Sequence, residues 1–144
     1  MKTFIIVILC LLVTPVSADT ETEQDFGDYV VYFNVFNSAF LTPEVAGQYH
    51  LTRSRNSAII NIAVQKKSPQ GNIPVNAMLK GELRNIIGQL RPLEFLRVQE
   101  GSAIYYLGSF RVASSEPLSF HINIRPDANT KGFNLNFTKQ VFIE

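Results

Sequence analysis

The chain is richest in chemically versatile side chains at residues 48–56, where QYHLTRSRN combines a tyrosine, a histidine and two arginines with hydroxyl and amide groups. If this segment is extended, Arg53 and Arg55 lie on one side. They could then bind a carboxylate or a phosphate, because a guanidinium offers paired donors in a fixed geometry. We therefore assign Tyr49, His50, Arg53 and Arg55 as candidate binding residues. The alternative is a structural loop whose arginines pair with acidic residues near the N-terminus.

The same sequence gives little support to catalysis. It contains neither a Gly-x-Ser-x-Gly nucleophile elbow nor a glycine-rich phosphate loop. His50 and His121 are far apart in sequence and have no paired carboxylates beside them, so no metal site is predicted. His121 alternates onto the polar face of its strand and is interpreted as a surface residue. We expect no enzymatic activity, no cofactor and no metal, with a hydrolase as a remote alternative.

The N-terminus has the three parts of a signal peptide. Lys2 supplies the positive charge, residues 4–13 are apolar, and Thr14-Pro15 precedes the small residues 16–18. The apolar run is shorter than the roughly 20 residues that a membrane-spanning helix needs. We predict that residues 1–18 are a signal peptide cleaved after Ala18, which leaves no stable membrane span. Because the single cysteine, Cys10, leaves with it, the exported chain would fold without disulfides.

Charge is unevenly distributed after this processing. Loss of Lys2 leaves twelve basic and twelve acidic side chains, with five acidic residues and no base between positions 19 and 28. Residues 19–27 are predicted to form an acidic N-terminal tail, either solvated or folded back on a basic face. The bases are scattered elsewhere, so the sequence does not indicate a nucleic-acid partner.

A period of two dominates the chain after residue 28 and predicts strands with one buried and one solvated face, which is typical of antiparallel sheets. Glycine, proline and small polar residues mark the turns between them. The predicted strands, seven in number, cover residues 28–37, 56–65, 73–84, 93–99, 102–112, 118–125 and 133–142. The last three are predicted to form a meander. A short helix is expected after Thr42-Pro43, which supply an N-cap and a first-turn proline.

These elements predict an all-β, two-sheet antiparallel sandwich over residues 28–144, with a small closed β-barrel as the alternative. Phe120, Ile122, Leu135 and Phe137 are predicted to be buried. The first strand is apolar on both faces, so either the 38–50 segment covers its outer face or that face forms an exposed patch.

Three segments carry a resemblance to a known family. They are GDYVVYFNVFN at 27–37, FLTP at 40–43 and AIYYLGSFRV at 103–112. Together they resemble an exported bacterial family known only as domain of unknown function 4426. The resemblance implies a bacterial periplasmic location and an immunoglobulin-like sandwich. It carries over no functional residue, because the family has no established activity.

Two functions from different classes remain open at this point. The first is a non-catalytic periplasmic domain that binds another envelope protein or assists envelope assembly. The second is a carrier or sensor for a small anionic or apolar ligand, held between the 38–56 segment and the sheets. An exposed aromatic patch or an unpaired strand edge would favour the first, and a closed pocket containing Arg53 or Arg55 would favour the second.

Overall fold

The structure is a computed structural model that describes residues 22–143, so the predicted signal peptide and its cleavage after Ala18 lie outside the described residues. Over this range the chain forms strands, one short helix α1 at Pro43–Gln48 and a 3-10 turn at Ser38–Phe40. The strands are β1 (Glu23–Asp25), β2 (Tyr29–Asn37), β3 (Ser57–Lys66), β4 (Ile73–Pro74), β5 (Met78–Arg84), β6 (Leu90–Leu93), β7 (Phe95–Glu100), β8 (Ala103–Arg111), β9 (Glu116–Arg125) and β10 (Phe133–Val141).

Two antiparallel sheets contain all of these strands. The first sheet has the order β1-β2-β3-β8-β7, with β4 beside β3, and the second has the order β10-β9-β5-β6. The predicted two-sheet sandwich is confirmed, and the strands do not close into the alternative barrel. The helix also begins as predicted, since the Thr42 side chain accepts a hydrogen bond from the Val45 N–H and Pro43 occupies the first turn.

The core lies between the sheets and follows the predicted alternation. Phe120, Ile122 and Leu135 are buried, while Phe137 is half-buried and packs against the core. The Phe137 ring centroid lies 4.8 Å from that of Phe120 in the second sheet and 4.5 Å from that of Phe33 in the first. Aromatic contact therefore joins the two sheets where β2 faces β10.

The predicted meander of the last three strands is wrong. β8 lies in the first sheet between β3 and β7, whereas β9 and β10 lie in the second. The chain changes sheet at residues 112–115, where Val112 is buried and its N–H donates to the Asn56 carbonyl. Periodicity alone does not distinguish such a crossing from a hairpin turn within one sheet.

Two predicted strands are also interrupted where the chain changes sheet. The 73–84 strand divides into β4 and β5 because the Ala77 N–H leaves the strand ladder and donates to the Tyr106 hydroxyl. The 93–99 strand is longer than predicted and divides at Glu94 into β6 and β7. Immediately after this crossing, the Phe95 ring lies against Gly81 of the second sheet and Gly108 of the first.

The sheet begins inside the segment predicted as an acidic tail. Glu23, Gln24 and Asp25 pair with β2, and the Phe26 ring stacks on Phe133 at a centroid distance of 4.4 Å. Asp25 forms an ion pair with Lys67. Backbone pairing and aromatic stacking thus fix residues 23–26 to the body of the sandwich, before the predicted boundary at residue 28.

Candidate functional site

One end of the sandwich brings together segments from both sheets. Strand registers pair Asn37 with Ala58, Ser57 with Arg111, Arg84 with Leu90 and Val141 with Glu116, so these strands begin or end at the same level. The two sheets are tied together at this end by a hydrogen bond from Asn37 Nδ2 to the Phe142 carbonyl (3.2 Å). Beside it, the Ile143 N–H donates to Ser115 Oγ (2.9 Å) and holds the end of β10 next to the start of β9. We call this end the arginine pole and define it as residues 38–44, 52–57, 84–91, 111–116 and 141–143.

The arginine pole carries the excess positive charge of the described chain. Its five segments contain five arginines, no lysine and two glutamates, Glu44 and Glu116. The other described residues contain seven bases and seven acids. The arginines are Arg53, Arg55, Arg84, Arg91 and Arg111. This concentration predicts a local field that attracts anionic groups.

Exposed apolar side chains collect at the same pole. Six of the ten large hydrophobic residues that are exposed in the described chain lie there: Phe40, Ile86, Ile87, Leu90, Phe142 and Ile143. Ile86 and Ile87 are 69% and 74% exposed at the tip of the β5–β6 hairpin, in a tight turn closed by the Gly88 N–H and the Asn85 carbonyl (3.1 Å). Polar residues are usual at such positions. Neither isoleucine is therefore explained by packing within the domain.

A groove between the ends of β2 and β10 adds a second apolar feature. It has a volume of about 280 Å³, and Phe40 and Phe142 line it together with Lys139. β10 is the last strand of its sheet, and β1 pairs only with residues 30–32 of β2. Within residues 22–143, the groove thus lies beside two strand edges that have no neighbouring strand. We call it the edge groove.

Arg53 and Arg55, assigned from the sequence, are exposed at the arginine pole. In the described chain their side chains make no hydrogen bond or ion pair. Their loop is held instead through its backbone, because Asn37 Nδ2 donates to the Arg55 carbonyl (2.8 Å) and Ser38 Oγ donates to the Ser54 carbonyl (2.9 Å). Asp25, an acidic residue of the N-terminal segment, forms its ion pair with Lys67 and not with Arg53 or Arg55.

His50 has a structural role that was not predicted from the sequence. It adopts a left-handed conformation (φ 55°) directly after Tyr49, the C-cap residue of α1, and the His50 and Leu51 N–H groups donate to the carbonyls of Gly47 and Ala46. This is a Schellman motif, in which glycine is the usual left-handed residue. The His50 side chain lines an open depression of about 570 Å³ together with Arg111.

Tyr49 lies apart from the other candidates, since its hydroxyl donates to the Glu100 carboxylate at the end of β7. Arg111 and the Ile86-Ile87 tip were not predicted from the sequence as part of a site. The tip does have a signal in the sequence, because two β-branched apolar residues stand between Asn85 and Gly88 at a predicted break between strands. Arg111 has no such signal, since its position beside Ser57 depends on the pairing of β3 with β8.

The two perturbed carboxyl groups lie at the opposite pole. A hydrogen bond from Lys67, supported by the Gly27 N–H, lowers the pKa of Asp25 below its ordinary value. Hydrogen bonds from the Thr130 hydroxyl and from the Thr130 and Asn129 N–H groups likewise lower the pKa of Asp127. The described residues contain no group of three or more potential metal ligands. None of the described helices has the length and apolar character needed to cross a bilayer.

Comparisons with known proteins place this geometry in a family. The family model for a domain of unknown function, DUF4426, matches residues 23–144. The fold is similar to the crystal structure of PA0388, a DUF4426 family protein from Pseudomonas aeruginosa PAO1, with 37% identity, a TM-score of 0.74 and coverage of 85% of this chain and 94% of that chain.

More distant likeness extends to FetP of uropathogenic Escherichia coli strain F11. A copper-bound variant has 11% identity and a TM-score of 0.59 over 82% of this chain and 92% of that chain. The as-isolated form has 10% identity and a TM-score of 0.60 over 83% and 92%. At these identities the likeness shows the fold alone. No curated protein matches the chain.

Proposed function

The chain belongs to the DUF4426 family, and we propose that it is a non-catalytic exported domain that binds an acidic protein partner at its arginine pole. The observation that carries the proposal is the coincidence of charge and apolar exposure. Five arginines and six exposed large hydrophobic residues occupy one end of the sandwich, while the rest of the described chain is balanced in charge. Arginine and aromatic residues are enriched in protein interfaces, and arginine clusters recognise carboxylates.

A protein explains this surface better than a lipid bilayer does. The edge groove lies beside the edges of β2 and β10, and an extended peptide can pair with such an edge through backbone hydrogen bonds. Phe40 and Phe142 would then contact an apolar side chain of the peptide, and Arg53 and Arg55 would contact its carboxylates. A bilayer cannot use a strand edge, because it offers no backbone donors or acceptors.

Site-specific photo-crosslinking in the native envelope tests the proposal. A photoreactive phenylalanine analogue at Phe142 or Ile87 should crosslink one protein reproducibly, and the same analogue at Ile73, which is exposed outside the pole, should not. The crosslinked protein should then bind the purified domain. Affinity should fall by about 10-fold or more in the Arg53→Ala/Arg55→Ala variant, because each lost charge-assisted contact is worth about 1.5–3 kcal/mol.

A charge-matched variant supplies the control. Arg125→Ala/Lys131→Ala removes two exposed bases outside the pole and should retain full binding. An equal loss of affinity in both double variants would show that only the net charge matters. That result would contradict a localised site. Crosslinking to lipid, together with Arg53- and Arg55-dependent binding to phosphatidylglycerol vesicles, would replace the protein partner by a membrane surface.

A further inference from the structure

The two sheets differ in what covers their outer faces. On the first sheet, the expectation that the 38–50 segment covers the outer face of the first strand is confirmed at Phe36, which lines a cleft together with Leu41 and Val45. On the second sheet, four polar side chains of β9 and β10 point away from the core and are exposed. They are His121, Asn123, Asn134 and Asn136, and we call them the Asn-His face.

The Asn-His face lines a depression of about 460 Å³, which is within the roughly 300–1,000 Å³ of small-molecule sites. Lys80, Glu82 and Pro92 also line it. Strand pairing places Lys80 beside Asn123 and Glu82 beside His121. One base and one acid therefore flank the polar face, and no arginine lines the depression. Because these charges cancel, the site suits a neutral ligand better than an ion.

Hydrogen bonds orient the side chains of the Asn-His face in two rows. In one row, Asn123 Nδ2 donates to Asn134 Oδ1 (3.0 Å), which leaves Asn134 Nδ2 as a donor and Asn123 Oδ1 as an acceptor. In the other row, His121 Nδ1 donates to Asn136 Oδ1 (2.9 Å), because an amide oxygen only accepts. Asn136 Nδ2 is then a donor, and Nε2 of the neutral imidazole is an acceptor. Within residues 22–143 these four remaining atoms have no other hydrogen-bond partner, so each row offers one donor and one acceptor.

Strand propensity does not explain this composition. Asparagine is depleted in strands, where threonine and other β-branched residues are usual, yet three asparagines lie together on two neighbouring strands. Gly132, just before β10, is not required by its backbone either, because it is not among the glycines with a positive φ. A Cβ atom there would lie 3.1 Å from Asn123 Nδ2 and 3.2 Å from Asn123 Oδ1. The missing side chain leaves room for the Asn123 amide.

We infer that the Asn-His face binds a neutral oligosaccharide. A sugar hydroxyl both donates and accepts hydrogen bonds, so neighbouring hydroxyls match the donor and the acceptor of each row. The rows are two residues apart along the strands, which is about 7 Å, so adjacent sugar units reach both of them. The Pro92 ring at the side of the depression offers an apolar surface to the C–H groups of a sugar ring.

Other classes of ligand fit the depression less well. None of the exposed large hydrophobic residues of the described chain lines it, whereas protein interfaces are enriched in aromatic residues and methionine. Lys80 is its single base, whereas nucleic-acid sites carry clusters of lysine and arginine. The oligosaccharide site is therefore distinct in place and in chemistry from the partner surface at the arginine pole.

Titration of the ¹⁵N-labelled protein tests the inference by NMR. The probes are cellotetraose, maltotetraose and tetra-N-acetylchitotetraose, with tetraethylene glycol as a control that has ether oxygens but no neighbouring hydroxyls. Saturable shifts are expected with at least one oligosaccharide at the side-chain amides of Asn134 and Asn136 and at the backbone amide of Ile122. The probe that binds most tightly identifies the linkage and shows whether an N-acetyl group is recognised. Tetraethylene glycol should give no saturable shift.

Two threonine variants locate the effect. Asn136→Thr should keep or raise the melting temperature, because threonine is favoured in strands. It should weaken binding by about 10-fold or more, because it removes one amide donor and the group that orients His121. Asn34→Thr is the matched control, since Asn34 is an exposed strand asparagine that does not line the depression, and it should retain full affinity.

Three results would overturn the inference. The first is the absence of saturable shifts in the wild type with all three oligosaccharides, and the second is equal binding of tetraethylene glycol. Neither depends on whether the Asn136 variant folds. The third is unchanged affinity in Asn136→Thr. All three leave the proposal for the arginine pole untouched, because the two sites have no lining residue in common.

Discussion

At the C-terminus of α1 a histidine, His50, occupies a position where glycine is usual. Replacing it therefore tests whether backbone conformation or the side chain matters for stability at this residue. His50 has a φ of 55°, a conformation that costs an L-residue about 1–2 kcal/mol and glycine much less. We predict that His50→Gly raises the free energy of unfolding by about 0.5–1 kcal/mol, measured by urea denaturation. His121→Gly, on a regular strand, should lower it. A loss of stability in His50→Gly would mean that the imidazole makes contacts that outweigh the backbone strain.

Neighbouring residues on β9 should respond very differently to truncation. Phe120 is fully buried and packs against Phe110 and Phe137, whereas His121 is exposed and its ring nitrogen contacts Asn136 Oδ1 at 2.9 Å. We predict that Phe120→Ala lowers the free energy of unfolding by about 3–5 kcal/mol and His121→Ala by less than about 0.5 kcal/mol. Equilibrium denaturation of both variants checks this, and similar losses would contradict the assignment of faces.

At the level of elements, the chain passes from β6 in the second sheet to β7 in the first at Glu94. This passage requires two glycines, Gly81 and Gly108, because the Phe95 ring packs against both. A Cβ atom at Gly81 would lie 2.9 Å from Ile122 Cγ1 and 3.2 Å from Phe95 Cε2. We predict that Gly81→Ala destabilises the domain by about 1–3 kcal/mol, because a packed core accommodates added volume poorly.

Gly47→Ala is the control for Gly81→Ala, because an added Cβ atom at Gly47 has free space. Gly47 lies inside α1, and an added Cβ would meet nothing within 4 Å. Alanine is favoured over glycine in a helix by up to about 1 kcal/mol, so this variant should be neutral or stabilised. Thermal unfolding should show a lower melting temperature for Gly81→Ala and an unchanged or higher one for Gly47→Ala. An unchanged or higher melting temperature for Gly81→Ala would mean that Ile122 and Phe95 do not confine this position.

The same elements explain what could be predicted from the sequence. The alternation along β9 and β10 depends only on each strand's own sequence, so the burial of Phe120 and Leu135 could be predicted. The connections at 75–77 and 112–115 were not, because the same local pattern fits a turn within a sheet and a passage between sheets. The arginine pole depends on those connections. Arg53 and Arg55 could be singled out locally, but their association with Arg111 and the Ile86-Ile87 tip requires the complete topology.

For the whole molecule, low pH should reduce the free energy of unfolding through two carboxylates at the pole opposite the arginines, Asp25 and Asp127. The pKa values of Asp25 and Asp127 are lowered from 3.8 in the folded state, so each carboxylate stabilises the fold above that value. The contribution is lost as the pH falls through the lower folded values. We predict that Asp25→Asn/Asp127→Asn is less stable than the wild type near neutral pH and that the difference shrinks as the pH falls below 3.8. A constant difference across this range would contradict the prediction, and urea denaturation as a function of pH provides the measurement.

The strand order also governs when the chain can fold. The inner strands pair with partners distant in sequence, such as Ile60 with Gly108 in the first sheet and Gly81 with Ile122 in the second. Neither sheet can be completed until β8 and β9 have been synthesised, and closing such long loops makes folding slow. A chain of this topology cannot complete its sandwich until most of it has been synthesised, and a translocation channel accepts a chain that has not completed its fold. The signal peptide predicted at residues 1–18 would therefore act on a polypeptide that has not yet formed its sandwich.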